Sequence, residues 1–158
     1  LAYAPHPNAE AKKHAEYVSL ETLYRESDLI TLHAPANTET THMINEDALA
    51  QMKNGVILVN TGRGALIDTA ALLHGLDTGK VGGAGLDVIE EESDLYYYDR
   101  REELLHHRDM ALLNSYPNVV VTHHMAFYTR QCVETMVRDS VRGIVADIQG
   151  LKNPWRVC

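Results

Sequence analysis

Arg63 lies between two glycines, in the turn Asn60-Thr61-Gly62-Arg63-Gly64. Flanking glycines let the backbone bend and a ligand come close. A guanidinium can hold a carboxylate through two parallel hydrogen bonds, which an ammonium does less well. The doublet His123-His124, in VVVTHHMAFYT, offers an imidazole for proton transfer. Successive side chains of a strand face opposite ways, so only one of the two histidines can enter a given cleft. The run Glu90-Glu91-Glu92 supplies carboxylates, and one beside the histidine would favour the imidazolium. The run does not say which of its members turns inward. Each group also has a plainer reading: a solvated loop arginine, a satisfied core histidine, a wet acidic run.

The elements that must position these groups are strand ends. From Gly55 to Glu92 the chain reads strand, turn, helix, turn, strand. The apolar run Val56 to Val59 ends in the Arg63 turn. Asp68 and Thr69 open an apolar helical pattern that stops at Gly79, and a second strand runs from Gly82 to Val88. Both strands are apolar without alternation, as parallel strands covered on both faces tend to be. Arg63 follows the first strand; Asp87 and Glu92 fall at the end of the second. Open parallel sheets bind ligands outside the carboxyl ends of their strands, so the site belongs there.

Elsewhere, Leu1 to Ala4 reads as a strand closed by Pro5-His6-Pro7-Asn8, and Ser19 caps a short helix over Leu20, Leu23 and Tyr24. Asp28 to Ala34 is a buried-strand candidate followed by a loop, Pro35 to Thr41. Asn45 caps a helix ending at Gly55. An irregular acidic segment holds Tyr96-Tyr97-Tyr98, a helix spans Leu104 to Leu113, and a strand runs from Val119 to Thr122. The longest helix runs from about Arg130 to Gln149, with Val133, Met136, Val137, Val141, Ile144, Val145 and Ile148 on one stripe. Strand and helix alternate, which predicts an α/β fold with a mostly parallel sheet.

The 158 residues carry 14 basic and 22 acidic side chains, a net charge of -8. That balance argues against nucleic acid or an anionic membrane as partner. No apolar run approaches the ~20 residues of a membrane span. His106-His107 and His123-His124 lack metal-ligand spacing, so no metal is expected. Cys132 and Cys158 make no CxxC pair and the first residues show no signal-peptide pattern, which makes the cytoplasm the expected location. No Gly-x-Gly-x-x-Gly phosphate loop is present, and Leu1 opens in mid-strand, so a piece of a longer chain is expected.

Four segments, SDLITLHAPANTETTHMIN, MKNGVILVNTGRGALIDT, GKVGGAGLDVIEEE and NVVVTHHMAFYT, stand in order and spacing like those of one family. Together they resemble the NAD-dependent D-2-hydroxyacid dehydrogenases, nearest the D-lactate dehydrogenase branch and its glycopeptide-resistance relatives. The resemblance implies a Rossmann-like, doubly wound parallel sheet, incomplete at its N-terminal side. Residues 1–128 would be the C-terminal part of a dinucleotide-binding domain, and 129–158 a long helix and tail packing back towards a substrate domain. It also implies roles: Arg63 grips the substrate carboxylate and polarises the keto group, His124 exchanges the proton, and Glu92 holds that histidine charged and oriented. Asp87 matches the residue facing the nicotinamide. Ala34, Pro35, Thr40, Thr61, Gly62 and Arg63 match positions lining the cofactor. The implied partners are NAD, a small 2-keto or 2-hydroxy acid and a second copy in a homodimer.

The chain departs from that pattern in places. His123 replaces the usual proline before the catalytic histidine. Ala4 replaces the acid that holds the adenosine ribose, which would relax the preference for NAD over NADP, with His6 or Lys12 as phosphate neighbours. The likeness covers only the second half of the family pattern. Two other readings therefore stand beside an enzyme: an NAD(H)-sensing module like the family's corepressor relatives, and an inactive fragment.

Overall fold

The candidate residues from Ala34 to His124 all follow the ends of four short parallel strands. In the computed structural model, which describes residues 1–7, 9–96, 99 and 107–156, the strands are β1 (Leu29–Leu32), β2 (Val56–Asn60), β3 (Val81–Leu86) and β4 (Val119–Val121). They pair in the order β1-β2-β3-β4, all parallel. The helices between them are α1 (Leu20–Glu26), α2 (Glu46–Gln51), α3 (Thr69–Asp77) and α4 (Arg108–Ser115). Helix α1 packs on α2, α2 on α3, α3 on β3 and α4, and α4 on β4. The architecture is Rossmann-like α/β.

The sequence ends these helices where their orphan N–H groups find acceptors. Ser19 accepts from Thr22 N at 3.2 Å, Asn45 from Ala48 N at 2.9 Å, and Asp68 from Ala70 and Ala71 N. Such caps each contribute about 1 kcal/mol. The cap of α4 is His107, whose Nδ1 accepts from Met110 N at 3.1 Å. The core lies between helices and sheet: Leu58, Val81, Ile44, Leu66 and Leu113 are fully buried, each such side chain contributing roughly 1.5–3 kcal/mol. Tyr24 joins them with its hydroxyl donating to the Met43 carbonyl at 2.8 Å. Burial, with Tyr3 nearby, pushes its pKa up to about 12.

Several expectations need correction. Leu1 to Ala4 forms only an isolated bridge, Ala2 to Tyr17, because a stretch this short gains no second pairing. Helix α2 stops at Gln51; Met52 is already extended, and Gly55, at φ +77°, makes the turn into β2. The strands are not covered on both faces among the described residues: Leu29, Ile57 and Val120 are 53, 43 and 66% exposed. The unbroken apolar runs thus reflect two apolar faces, only one of which packs on α1–α4. The predicted helix from Leu104 begins at Arg108 in the described residues, and residues 104–106, like Tyr97 and Tyr98, lie outside them.

The chain divides into two compact units, Leu1–His124 and Met125–Cys158. The second holds α5 (Arg130–Ile148), capped by Thr129, which accepts from Cys132 N at 3.2 Å. The apolar stripe is there, but Met136, Val137, Val141, Ile144, Val145 and Ile148 are exposed along it. Only Gly143 is buried, with Asn153 donating to its carbonyl. No helix among the described residues is long and apolar enough to cross a membrane.

Candidate active site

At the end of β2 the buried Asn60 side chain shapes the arginine turn. Its Oδ1 accepts from Gly62 N at 3.0 Å and its Nδ2 donates to the Arg63 carbonyl at 2.9 Å. Glycines flank Arg63 because the turn is wedged between neighbours. A Cβ on Gly62 would stand 3.3 Å from the Leu32 and Ala34 carbonyl oxygens, and one on Gly64 would stand 2.0 Å from the Ile89 oxygen. The Arg63 side chain itself is exposed, with Nη1 donating to the Gly62 carbonyl at 2.7 Å.

At the end of β3, Asp87 is 4% exposed and accepts a 2.5 Å hydrogen bond from the Thr122 hydroxyl. Its backbone ties three strand ends together: Asp87 N donates to the Asn60 carbonyl, and His124 N donates to the Asp87 carbonyl at 2.8 Å. The chain then turns at Glu91, whose φ is +55°. That turn brings Glu92 back, with Oε2 accepting from Ile89 N at 3.0 Å and Oε1 facing His124 Nδ1 at 2.8 Å. His124 has φ +52°, a left-handed conformation uncommon outside glycine and often found at functional positions. The carboxylate on Nδ1 makes Nδ1–H the facing tautomer and turns Nε2 to the opposite side of the ring.

The structure therefore brings Glu92 and His124 into contact and puts Arg63 at the adjacent strand end, on its own turn. His123 meets Tyr96 instead, in a tilted ring contact with centroids 5.5 Å apart. Ala34, Pro35 and Thr40 follow β1, where Thr40 Oγ1 donates to the Pro35 carbonyl at 2.6 Å and closes the loop. Thr61 is exposed beside Gly62, and Ala4 is half-buried in the bridged N-terminal segment.

Sequence reasoning missed a second carboxylate–imidazole pair. Glu90 Oε1 faces His42 Nε2 at 2.6 Å, while Oε2 accepts from Thr69 N at 2.8 Å and Thr69 Oγ1 at 2.7 Å. Burial works against the charge on Glu90, yet the bonds from Thr69 and His42 outweigh it and hold its carboxyl below the usual range. The same hydrogen bond raises the His42 pKa, against the opposing effect of desolvation. No local signal in EEE distinguishes the two inward acids from the outward Glu91; the left-handed turn does.

Residues 1–126 match the family described as D-isomer specific 2-hydroxyacid dehydrogenase, NAD binding domain. The chain belongs to this family. An aromatic 2-oxoacid reductase of Clostridium sporogenes is 40% identical over 159 residues, all of this chain and 48% of the relative. A D-lactate dehydrogenase of Escherichia coli is 41% identical over 145 residues, 91% of this chain and 44% of the relative. Among solved structures, a D-lactate dehydrogenase from Treponema pallidum superposes with a TM-score of 0.92 at 40% identity, covering 96% of this chain and 46% of that one. One from Lactobacillus jensenii with NAD+ gives 0.90 at 34% identity, covering 99% and 47%. The chain spans about half the length of the relatives it matches.

The chain is a D-2-hydroxyacid dehydrogenase NAD-binding domain, and short side chains and backbone groups stand at its strand ends. Ala34 and Pro35 follow β1 and Thr61 and Gly62 follow β2, with the Gly62 turn packed on the Ala34 carbonyl. The buried Asp87 carboxylate stands at the next strand end. Short side chains and backbone groups beside one carboxylate suit a ring and an amide rather than a phosphate, and the glycine-rich phosphate turn is not among these residues.

Proposed function

We propose that this domain serves an oxidoreductase that interconverts a small, pyruvate-like 2-keto acid and the D-2-hydroxy acid. The bound nicotinamide supplies the hydride. His124 supplies the proton to the keto oxygen in reduction and recovers it in oxidation, so that one hydride and one proton convert C=O to CH–OH. Glu92 orients the ring from Nδ1. Arg63 swings from the Gly62 carbonyl to hold the substrate carboxylate and draw electron density from the carbonyl. What supports this most directly is the 2.8 Å contact between Glu92 and His124 at adjacent strand ends.

A cytoplasmic homodimer belongs to the same reading. So does relaxed cofactor choice: with Ala4 in place of an acid, a 2′-phosphate meets no repulsion there, and His6 or Lys12 would be its neighbours. The test is oxidation of NADH and of NADPH against a panel of 2-keto acids. The expected result is turnover of a pyruvate-like acid, with KM values for the two cofactors within about tenfold, since one lost charge repulsion is worth on the order of 1 kcal/mol at an exposed site. No turnover of any 2-keto acid refutes the activity; a preference for NADH of several hundredfold refutes the role given to Ala4.

A further inference from the structure

Glu90 is anchored on both oxygens, two residues before the acid that meets the histidine. Oε1 lies on His42 Nε2 at 2.6 Å, and Oε2 takes both the backbone N–H and the hydroxyl of Thr69, the first residue of α3. The anchor groups are themselves fixed. His42 has φ +53°, with its N–H on the Ala65 carbonyl at 2.8 Å. Thr69 follows the cap Asp68. The main chain at residues 89 and 90 is pressed against Gly64, so closely that no Cβ fits there, and the Glu90 carbonyl takes a 3.3 Å contact from His107 Nε2. From this clamp the chain makes one left-handed step at Glu91, and Glu92 folds back onto Ile89 N and His124.

We propose that Glu90, held by His42 and Thr69, is a positioning residue that fixes the turn from which Glu92 orients His124. Without the clamp, the Ile89–Glu92 turn loses its ties to α3 and to His42 and rests on the Ile89 N to Glu92 bond, the His107 contact and its packing on Gly64. Glu92 then spreads over several rotamers, and His124 loses its fixed tautomer. His42 is a remote member of the same unit: it lies in the segment that follows the Thr40 loop, so the β1 end and the β3 end are joined through one carboxylate. A Glu90 that served only to satisfy the first turn of α3 would stabilise the fold and leave the His124 ring as it is.

The kinetic half of the test rests on the dehydrogenase reading; the spectroscopic half does not. Glu90→Ala is expected to lower kcat for 2-keto acid reduction about tenfold, the scale of one hydrogen bond to a charged group. KM for the keto acid stays within about twofold, because the residues proposed to hold the substrate are untouched. The isotope effect on kcat with deuterated nicotinamide grows, and Glu90→Gln, which can still accept from Thr69, recovers most of the loss. If Glu90→Ala does not fold, His42→Gln carries the same expectations at about threefold. Independently of turnover, long-range 1H–15N spectra of the neutral His124 ring should show the Nδ1–H tautomer in the wild type and a shift towards Nε2–H in Glu90→Ala or His42→Gln. A lowered melting temperature with unchanged isotope effect and unchanged tautomer overturns the proposal. If the wild type reduces no 2-keto acid, the dehydrogenase reading fails while the tautomer comparison still decides the positioning role.

Discussion

Three consecutive glutamates here have three different fates, and the difference is set by partners rather than by residue type. Glu92 meets His124, Glu90 meets His42 and Thr69, and Glu91 is exposed at the left-handed turn between them. The His42–Glu90 link makes a prediction of its own. The folded His42 pKa is raised, so its contribution to stability is complete below the unfolded value of 6.5 and is lost as pH rises through the folded value. The folded Glu90 pKa is lowered, so its contribution is present above 4.5 and is lost as pH falls through the folded value. Both are complete between about 4.5 and 6.5. The His42 side chain is 43% exposed, and such a screened pair contributes no more than about 1 kcal/mol. Melting temperatures of wild type and His42→Gln, measured from about pH 3 to pH 9, should differ most inside that window; a gap that stays flat across the range contradicts the assignment.

At the scale of elements, the site depends on how closely two turns approach. The arginine turn after β2 and the glutamate turn after β3 touch through Gly64 and the Ile89 carbonyl. Gly64→Ala puts a methyl 2.0 Å from that oxygen, and backbone must move to admit it. Overpacking of this kind costs typically 1–3 kcal/mol, or about 2–4 °C in melting temperature for each kcal/mol in a domain of this size. We expect a fall of several degrees by calorimetry together with loss of keto-acid turnover, since both turns carry proposed site residues; an unchanged melting temperature would show that the turns do not need this approach. Much of this level was legible in the sequence. Caps at Ser19, Asn45 and Asp68 marked helix starts, and apolar runs ending in polar turns put Arg63, Asp87, Glu92 and His124 at strand ends. The Gly64 contact was not, because close approach depends on what the fold brings opposite a glycine. Nor was the His42–Glu90 pair, whose members stand 48 residues apart with no local pattern joining them.

At the scale of the whole chain, one sheet face packs on α1–α4, while Leu29, Ile57 and Val120 on the other remain exposed, as does the stripe on α5. Apolar runs announce that a strand has two faces to bury; they do not say what buries the second. The relatives are about twice as long as this chain. The account at this scale therefore concerns a domain whose strand ends hold an imidazole, two carboxylates and a guanidinium. Its central claim is that His124, oriented by Glu92, exchanges the substrate proton. The most direct measurement is kcat for 2-keto acid reduction by wild type and His124→Ala. Loss of a general acid of this kind costs on the order of 10²–10⁴ in rate, and that is the result the account predicts, with the cofactor still bound; turnover close to wild type would contradict it.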